Sequence, residues 1–260
     1  AEPHERPLLL VLSHYAPHVP LEAPPALVAE CQARVDPAAG QRNPLYAAMI
    51  ERLDASVGRV RATLEEHALV EHTLLVFTSD NGAVEELRME RKRRGESPDG
   101  EPYAITSNAP LRGAKGRLYE GGLRVPLVLF GGPLARTGRT ELPVLGTDLA
   151  PTLLALADAT PLPLTDGADL SDYLHGGPEP APRALAFHFP HQSFVSALRH
   201  GDEKLVHHWL DGANELYDMA ADPGEARDLA AEHPERAAEL ERALQAWLDG
   251  VGASRPERKP

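Results

Sequence analysis

The motif SDNG at residues 79–82 is the first part of the sequence with clear chemical potential. It directly follows the apolar run at residues 74–78. Asp80 and Asn81 carry side-chain oxygens, the ligands that Ca²⁺ and Mg²⁺ prefer, and Gly82 permits a sharp turn. The same residues are also typical of an ordinary turn after a strand. Two ligands do not complete a cation shell, so a metal site here needs further carboxylates from elsewhere.

A single lysine stands in a second motif, GAKGRLYEGGLRVP, at residues 113–126. Gly113 and Gly116 flank Lys115, and small neighbours let the backbone pass close to a ligand. An ammonium group in such a loop can hold sulfate or phosphate as a point charge. A solvated loop lysine is the plainer interpretation of Lys115 alone. Taken with SDNG, the motif predicts a cation and an ammonium group that converge on a small oxyanion.

Three histidines are candidates for substrate contact, out of twelve in the chain. His18 lies in the proline-rich loop APHVP, whose rigidity fixes an imidazole that binds an anion or protonates a leaving oxygen. His188 and His191, in the segment FHFPH, are candidates for a substrate pocket, and packing at the edge of the core is an equal alternative. A basic cluster at residues 88–94 is more typical of a solvated loop than of polymer binding.

The elements that must position these residues indicate an α/β fold. Apolar runs at residues 8–12, 74–78 and 127–130 predict buried strands, and the spacing at residues 45–67 predicts an amphipathic helix. Ligands of such sheets bind beyond the carboxyl ends of the strands, where Asp80 and Asn81 stand. The C-terminal part predicts a small antiparallel sheet and a helix. Its predicted elements are strands at 195–199, 203–209 and 214–218 and a helix at 234–248.

Composition excludes several classes of function. The chain has 260 residues, 42% of them hydrophobic, and a formal net charge of −13. That charge disfavours nucleic acid and anionic membrane surfaces as partners, and no apolar run is long enough for membrane insertion. The single cysteine, Cys31, excludes an internal disulfide and a multi-cysteine zinc site.

The motifs and their order along the chain resemble those of the sulfatases of the alkaline-phosphatase superfamily. The resemblance implies the C-terminal part of an alkaline-phosphatase-like mixed or parallel sheet sandwiched by helices, at residues 1–185. It implies a small antiparallel sheet-and-helix subdomain at residues 186–260. The matching segments are the run into APHVP, the helix at 45–67, SDNG, GAKGRLYEGGLRVP, TDLAPT at 147–152 and ELYD at 215–218.

The resemblance also implies roles for the candidate residues. Asp80 and Asn81 would be two ligands of Ca²⁺ or Mg²⁺, and Lys115 would bind the sulfate group. His18 would bind sulfate or assist the leaving oxygen, and the YEGG segment at 119–122 would be scaffold. The implied ligand is a sulfated small molecule or sulfated sugar, and many proteins of this family are periplasmic or secreted.

The sequence departs from the family pattern in its nucleophile. The family has an Asp-Asp metal pair, a Cys-x-Pro-x-Arg segment whose cysteine becomes formylglycine, and a Lys-x-His pair, all before the loop that matches His18. None of these occurs here, and Cys31 follows His18 instead of preceding it. We therefore expect a C-terminal half of a sulfatase whose partner is the N-terminal half carrying the formylglycine. We expect this chain alone to be inactive.

Two other functions remain open from the sequence. A phosphodiesterase or phosphonate monoester hydrolase of the same superfamily would share the metal geometry, because sulfate and phosphate esters have similar shapes. A non-catalytic module that binds sulfated glycans would retain the same cation and anion ligands. The segment at residues 113–126 favours the sulfatase.

Overall fold

The computed structural model describes residues 7–36, 42–84, 104–132 and 134–256. Among those residues, no helix combines the length and the apolar composition needed to cross a bilayer. The helices and strands, in chain order, are α1 (Pro25–Arg34), α2 (Pro44–Glu66), β1 (Leu74–Thr78), α3 (Glu120–Leu123), β2 (Leu127–Gly131), α4 (Leu149–Leu156), α5 (Ser171–Leu174), β3 (Ala184–Phe189), β4 (Val195–His200), β5 (Glu203–His208), β6 (Asn214–Asp218) and α6 (Pro234–Gly250).

The chain divides into two compact units. The first comprises residues 1–39, 43–77 and 128–180, and the second comprises residues 40–42, 78–127 and 181–260. The domain boundary expected at residue 185 stays a prediction. The structure adds one point to it, since residues 78–127, which carry both motifs, group with the C-terminal part of the chain.

The first unit is built on the helix pair α1 and α2. The Asn43 side chain accepts hydrogen bonds from the backbone of Leu45 (3.1 Å) and Tyr46 (3.2 Å), and so caps the first turn of α2. The two helices bury Cys31 and Ala48 between them. The predicted amphipathic helix at residues 45–67 is confirmed.

The predicted strands of the first unit meet different outcomes. β1 and β2 form a two-stranded sheet, which confirms strands at the runs 74–78 and 127–130. Their predicted burial is wrong, because no residue of either strand is buried and Val128 and Phe130 are exposed. The strand predicted at residues 8–12 is wrong, because this run has no strand structure and its side chains are 53–82% exposed. A strand needs hydrogen bonds to a neighbouring strand, and no described residue pairs with this run.

The second unit contains the four-stranded antiparallel sheet β3-β4-β5-β6. Its strands β4 to β6 confirm the antiparallel prediction, whereas β3 was not predicted. Consecutive residues point to opposite faces, so Leu205 of β5 packs toward α6 while Val206 packs toward Leu118. Because both faces are covered, β4 and β5 are buried along most of their length. The sheet thereby backs the loop that carries Lys115.

Candidate cation and anion site

Asp80 and Asn81 present two side-chain oxygens in the turn that follows β1. Asn81 Nδ2 donates a hydrogen bond to Asp80 Oδ1 at 2.8 Å. Within the described parts of the chain, nothing donates to Asp80 Oδ2 or Asn81 Oδ1. Asp80 is exposed and Asn81 is half-buried. Two adjacent hard oxygens without competing donors fit a Ca²⁺ or Mg²⁺ ion.

The described residues supply only part of a cation shell. No group of three or more His, Cys, Asp or Glu side chains in residues 7–36, 42–84, 104–132 and 134–256 is arranged to hold a metal. Ca²⁺ takes about six to eight oxygen ligands. Asp80 and Asn81 alone therefore do not complete a cation shell, and their role as two of its ligands stays a prediction.

Three glycines bring the SDNG turn against the second motif. Gly82 donates a backbone hydrogen bond to the Gly122 carbonyl at 3.0 Å. A Cβ atom on Gly82 would lie 1.8 Å from the Gly121 carbonyl oxygen, and one on Gly121 would lie 2.1 Å from the Gly113 oxygen. A side chain at Gly82 would therefore separate the two motifs, and one at Gly121 would push apart the two ends of the second motif.

Asn108 is a positioning residue that the sequence analysis missed. Its Oδ1 accepts from the Ala83 backbone N–H at 3.1 Å, and its Nδ2 donates to the Ala83 carbonyl at 2.9 Å. The same Nδ2 donates to the Gly113 carbonyl at 3.2 Å. One amide therefore joins the SDNG turn to the loop at residues 113–117, the lysine loop, which carries Lys115. An isolated asparagine carries no sequence signal for such a role.

Lys115 is held next to the turn through its backbone. Its N–H donates to the Ala83 carbonyl at 3.1 Å. Gly113 and Gly116 have φ angles of +77° and +84°, which residues with side chains rarely adopt, and this explains the glycines around the lysine. The ammonium group is exposed and makes no ion pair with any residue the structure describes. It is free to bind an anion.

A buried ionic cluster anchors α3, the short helix behind the SDNG turn. Lys204 of β5 is 0% exposed, and its Nζ lies 2.9 Å from Glu120 Oε1 and 2.7 Å from Glu225 Oε1. The second contact lacks hydrogen-bond geometry, so we treat it as an ion pair. Arg199 Nη1 lies 3.6 Å from Glu120 Oε2. Two positive and two negative charges compensate each other, which buried charges require.

The cluster also fixes the start of α3 directly. Glu225 Oε2 accepts a hydrogen bond from the Glu120 backbone N–H at 2.7 Å. Burial raises the pKa of the Glu225 carboxyl, against the opposing effect of the Lys204 charge. The sequence analysis assigned YEGG to scaffold but missed Lys204 and Glu225. A lysine inside a predicted strand, directly before the apolar pair Leu205 and Val206, was the available signal.

The predicted histidines have different surroundings. His188 uses both ring nitrogens, with Nδ1 2.7 Å from Ser196 Oγ and Nε2 2.7 Å from the Ser254 carbonyl. His191 is exposed, and its ring packs edge-on against Phe189 at 4.8 Å. The following turn contacts the lysine loop, since Ser193 Oγ donates to the Gly116 carbonyl at 3.1 Å. His191 is therefore accessible to a ligand, whereas both ring nitrogens of His188 already have partners within the protein.

His18 belongs to the first unit, and we describe it by itself. Its Nδ1 lies 2.8 Å from the Val19 carbonyl. A carbonyl only accepts, so Nδ1 carries the proton and Nε2 is left for a ligand. The ring packs edge-on against Tyr15 at 5.1 Å and is exposed. The basic cluster at residues 88–94 lies outside the described residues.

Comparison with known proteins identifies the family. The profile of the Sulfatase family matches residues 1–159. This chain belongs to the Sulfatase family, and its α/β fold is the alkaline-phosphatase-like fold of the sulfatase structures that it resembles.

Individual relatives carry related names. The chain is 30% identical to a sulfatase from Formosa agariphila, over 98% of this chain and 50% of the relative. It is 34% identical to arylsulfatase A from Homo sapiens, over 72% of this chain and 39% of the relative. A crystal structure of Ps i-CgsB in complex with k-i-k-neocarrahexaose superposes with a TM-score of 0.67 at 26% identity, covering 89% of this chain and 48% of that one. The chain spans half or less of the length of these relatives.

Proposed function

We propose that this protein hydrolyses sulfate esters, with Asp80 and Asn81 as cation ligands and Lys115 as a sulfate-binding residue. The observation that carries the proposal is the hydrogen bond from the Lys115 backbone to Ala83. It supports the proposal because it holds the loop of the exposed Lys115 against the turn that carries Asp80 and Asn81. Names of relatives in the family support sulfate as the oxyanion.

Each residue has a distinct task in this proposal. A Ca²⁺ or Mg²⁺ ion, when bound, polarises the sulfate oxygens and draws charge from the ester. The Lys115 ammonium group binds a sulfate oxygen and stabilises the negative charge that grows as the S–O bond breaks. His18, as an imidazolium that keeps Nδ1–H on the Val19 carbonyl, uses its Nε2–H to bind sulfate or to protonate the leaving oxygen. Asn108 and the three glycines hold the cation ligands and the lysine in one arrangement.

This chain does not offer its own cysteine as the nucleophile. Cys31 is 3% exposed in α1, and its sulfur accepts a contact from Arg34 at 3.5 Å. A buried, packed thiol has no access to an ester. We expect a formylglycine nucleophile and the remaining cation ligands from the N-terminal half that family members carry.

A sulfated sugar is the substrate class that we favour. The Ps i-CgsB structure holds k-i-k-neocarrahexaose, an oligosaccharide by its name. Lys115, His191 and Gln192 are exposed and therefore accessible to a ligand of that kind.

The test is a comparison of esters on the complete gene product, with Ca²⁺ present. We expect turnover of para-nitrophenyl sulfate that exceeds turnover of bis-para-nitrophenyl phosphate. The Lys115→Ala variant loses about 10²–10³-fold in kcat, the usual effect of removing one oxyanion-binding group. Arg139→Ala, at an exposed arginine of the first unit, is the control and keeps wild-type activity.

Two results would overturn the proposal. Faster turnover of the phosphate diester would favour the phosphodiesterase alternative. Calcium-dependent binding of a sulfated glycan without turnover would favour the non-catalytic module.

A further inference from the structure

The second unit contains a cavity of about 220 Å³ beside the lysine loop. Its wall combines apolar side chains with a few cationic, aromatic and hydroxyl groups, and such polar groups fix the orientation of a ligand in a mostly apolar pocket. The lining residues that matter here are Arg112, Arg117, Tyr119, Ser193, Val206 and His208. None of them was a candidate in the sequence analysis, and none belongs to the proposed cation site.

One of the two arginines is already neutralised. Arg112 Nη1 donates to Tyr217 Oη at 2.6 Å and lies 3.6 Å from Glu215 Oε2. Its guanidinium also covers the Tyr119 ring at 3.9 Å. Arg112 therefore lines the cavity with a guanidinium group whose charge is balanced by Glu215 and whose face is stacked on Tyr119.

The other arginine keeps its charge available. Arg117 is exposed and makes no side-chain hydrogen bond or ion pair with any residue in the described ranges. Its backbone N–H donates to the Ala114 carbonyl at 2.9 Å, which tightens the loop. The cavity therefore carries one uncompensated positive charge, and an anionic group is the ligand that this charge favours.

The spacing relates this charge to the proposed sulfate-binding residue. Arg117 follows Lys115 by two residues, so their Cα atoms lie within about 7.6 Å of each other. That distance is comparable to the separation of two substituents on one sugar ring or on two adjoining rings. A single saccharide with two anionic groups can therefore engage both residues.

We propose that this cavity binds a second sulfate or carboxylate of the substrate, with Arg117 as the specificity-determining residue. The proposal rests on the proposed function, because it names the substrate class of that same site: a saccharide with a second anionic group. Arg117 presents the forked guanidinium that binds a planar or tetrahedral oxyanion through two hydrogen bonds. Tyr119 and Arg112 limit the space behind that anion.

Competition by two sugars tests the proposal. The complete protein turns over para-nitrophenyl sulfate, and an N,O-disulfated glucosamine and the O-monosulfated glucosamine are compared as inhibitors. We expect the wild type to bind the disulfated sugar about tenfold more tightly, and Arg117→Gln to abolish most of that preference. Arg139→Gln, at an exposed arginine of the first unit, should keep the wild-type preference.

A preference that survives in Arg117→Gln would overturn the inference. Absence of aryl sulfate turnover would instead count against the proposed function. In that case, titration calorimetry with the disulfated sugar decides on the cavity. Binding that weakens about tenfold in Arg117→Gln supports the cavity site, and binding that is absent or unchanged contradicts it.

Discussion

The two units of this protein differ in where a charged cluster and an apolar run are placed. In the first unit, ion pairs lie at the surface, as in Arg61–Glu65, whose side chains are 60% and 51% exposed. The apolar run at residues 8–12 is likewise open to solvent. In the second unit, Lys204 is fully buried between Glu120 and Glu225, and the apolar strand residues pack on both faces of the sheet.

The proposed cation ligands Asp80 and Asn81 and the proposed sulfate-binding Lys115 all lie in the second unit. The SDNG turn, the lysine loop, α3 and the antiparallel sheet all belong to the second unit. Backbone hydrogen bonds join the first three, and the sheet contacts α3 through Lys204 and Glu120. His18 belongs to the first unit, on an exposed loop. The C-terminal sheet is therefore part of the support for the site.

Replacing the buried lysine should produce the largest effect on stability. Lys204→Met leaves two buried carboxylates without their shared cation, which costs about 3–5 kcal/mol. Denaturant unfolding followed by tryptophan fluorescence measures this loss, because Trp209 and Trp247 are the only tryptophans of the chain and both lie in the second unit. Lys115→Met, at an exposed lysine of the same unit, should change stability by about 0.5 kcal/mol or less. Equal losses in the two variants would contradict the role of the cluster.

Adding one methyl group at the SDNG turn should have the next largest effect. Gly82→Ala places Cβ 1.8 Å from a carbonyl oxygen, so the two motifs must separate, at a cost of about 1–3 kcal/mol. The same tryptophan-monitored unfolding reports this cost. Gly250→Ala, whose Cβ meets nothing within 4 Å, is the matched control in α6 and should not destabilise the protein. A stable Gly82→Ala variant would show that the close contact is not required.

The tyrosines of the second unit should make it sensitive to alkali. Burial, together with the hydrogen bond to Glu215, raises the pKa of Tyr119 from its ordinary 10 to about 12. Burial also raises the pKa of Tyr217, which donates to the same carboxylate at 2.7 Å. The folded state favours the neutral phenol, so this stabilisation is complete below about pH 10 and is lost as the pH rises toward about 12.

A phenylalanine variant isolates the contribution of Tyr119. Tyr119→Phe cannot ionise, so its stability should fall less steeply between about pH 10 and 12 than that of the wild type. Tyr15→Phe, at an exposed tyrosine of the first unit, should keep the wild-type slope. Unfolding midpoints measured by tryptophan fluorescence across this range give the comparison, and identical slopes in all three proteins would exclude the mechanism.

The smallest effect is expected from the surface of the first unit. Arg61→Ala removes an exposed pair four residues apart on α2, which is worth about 0.3–0.5 kcal/mol. Helix unfolding followed by circular dichroism at low and high salt measures it. A loss comparable to that of Lys204→Met would remove the contrast between the two units.

Local pattern predicted most of the fold, because the periodicity and turn residues of α2, β1 and α6 report their own surroundings. The run at residues 8–12 failed because a strand depends on a neighbour, which no local pattern specifies. At the proposed site, Asp80, Asn81 and Lys115 could be named as candidates because SDNG follows an apolar run and Lys115 stands in a glycine-rich loop, and their roles stay predictions. Asn108 and Lys204 were missed because their roles arise only from contacts between segments far apart in sequence.

The most direct test of the central claim is a crystal structure of the complete protein grown with Ca²⁺ and sulfate. We predict one calcium ion bound by the Asp80 carboxylate and Asn81 Oδ1 at about 2.3–2.6 Å. We also predict a sulfate oxygen in contact with Lys115 Nζ, with Asn108 still bonded to Ala83 and Gly113. A calcium ion held elsewhere, or a sulfate that does not reach Lys115, would contradict the claim that the second unit positions both groups.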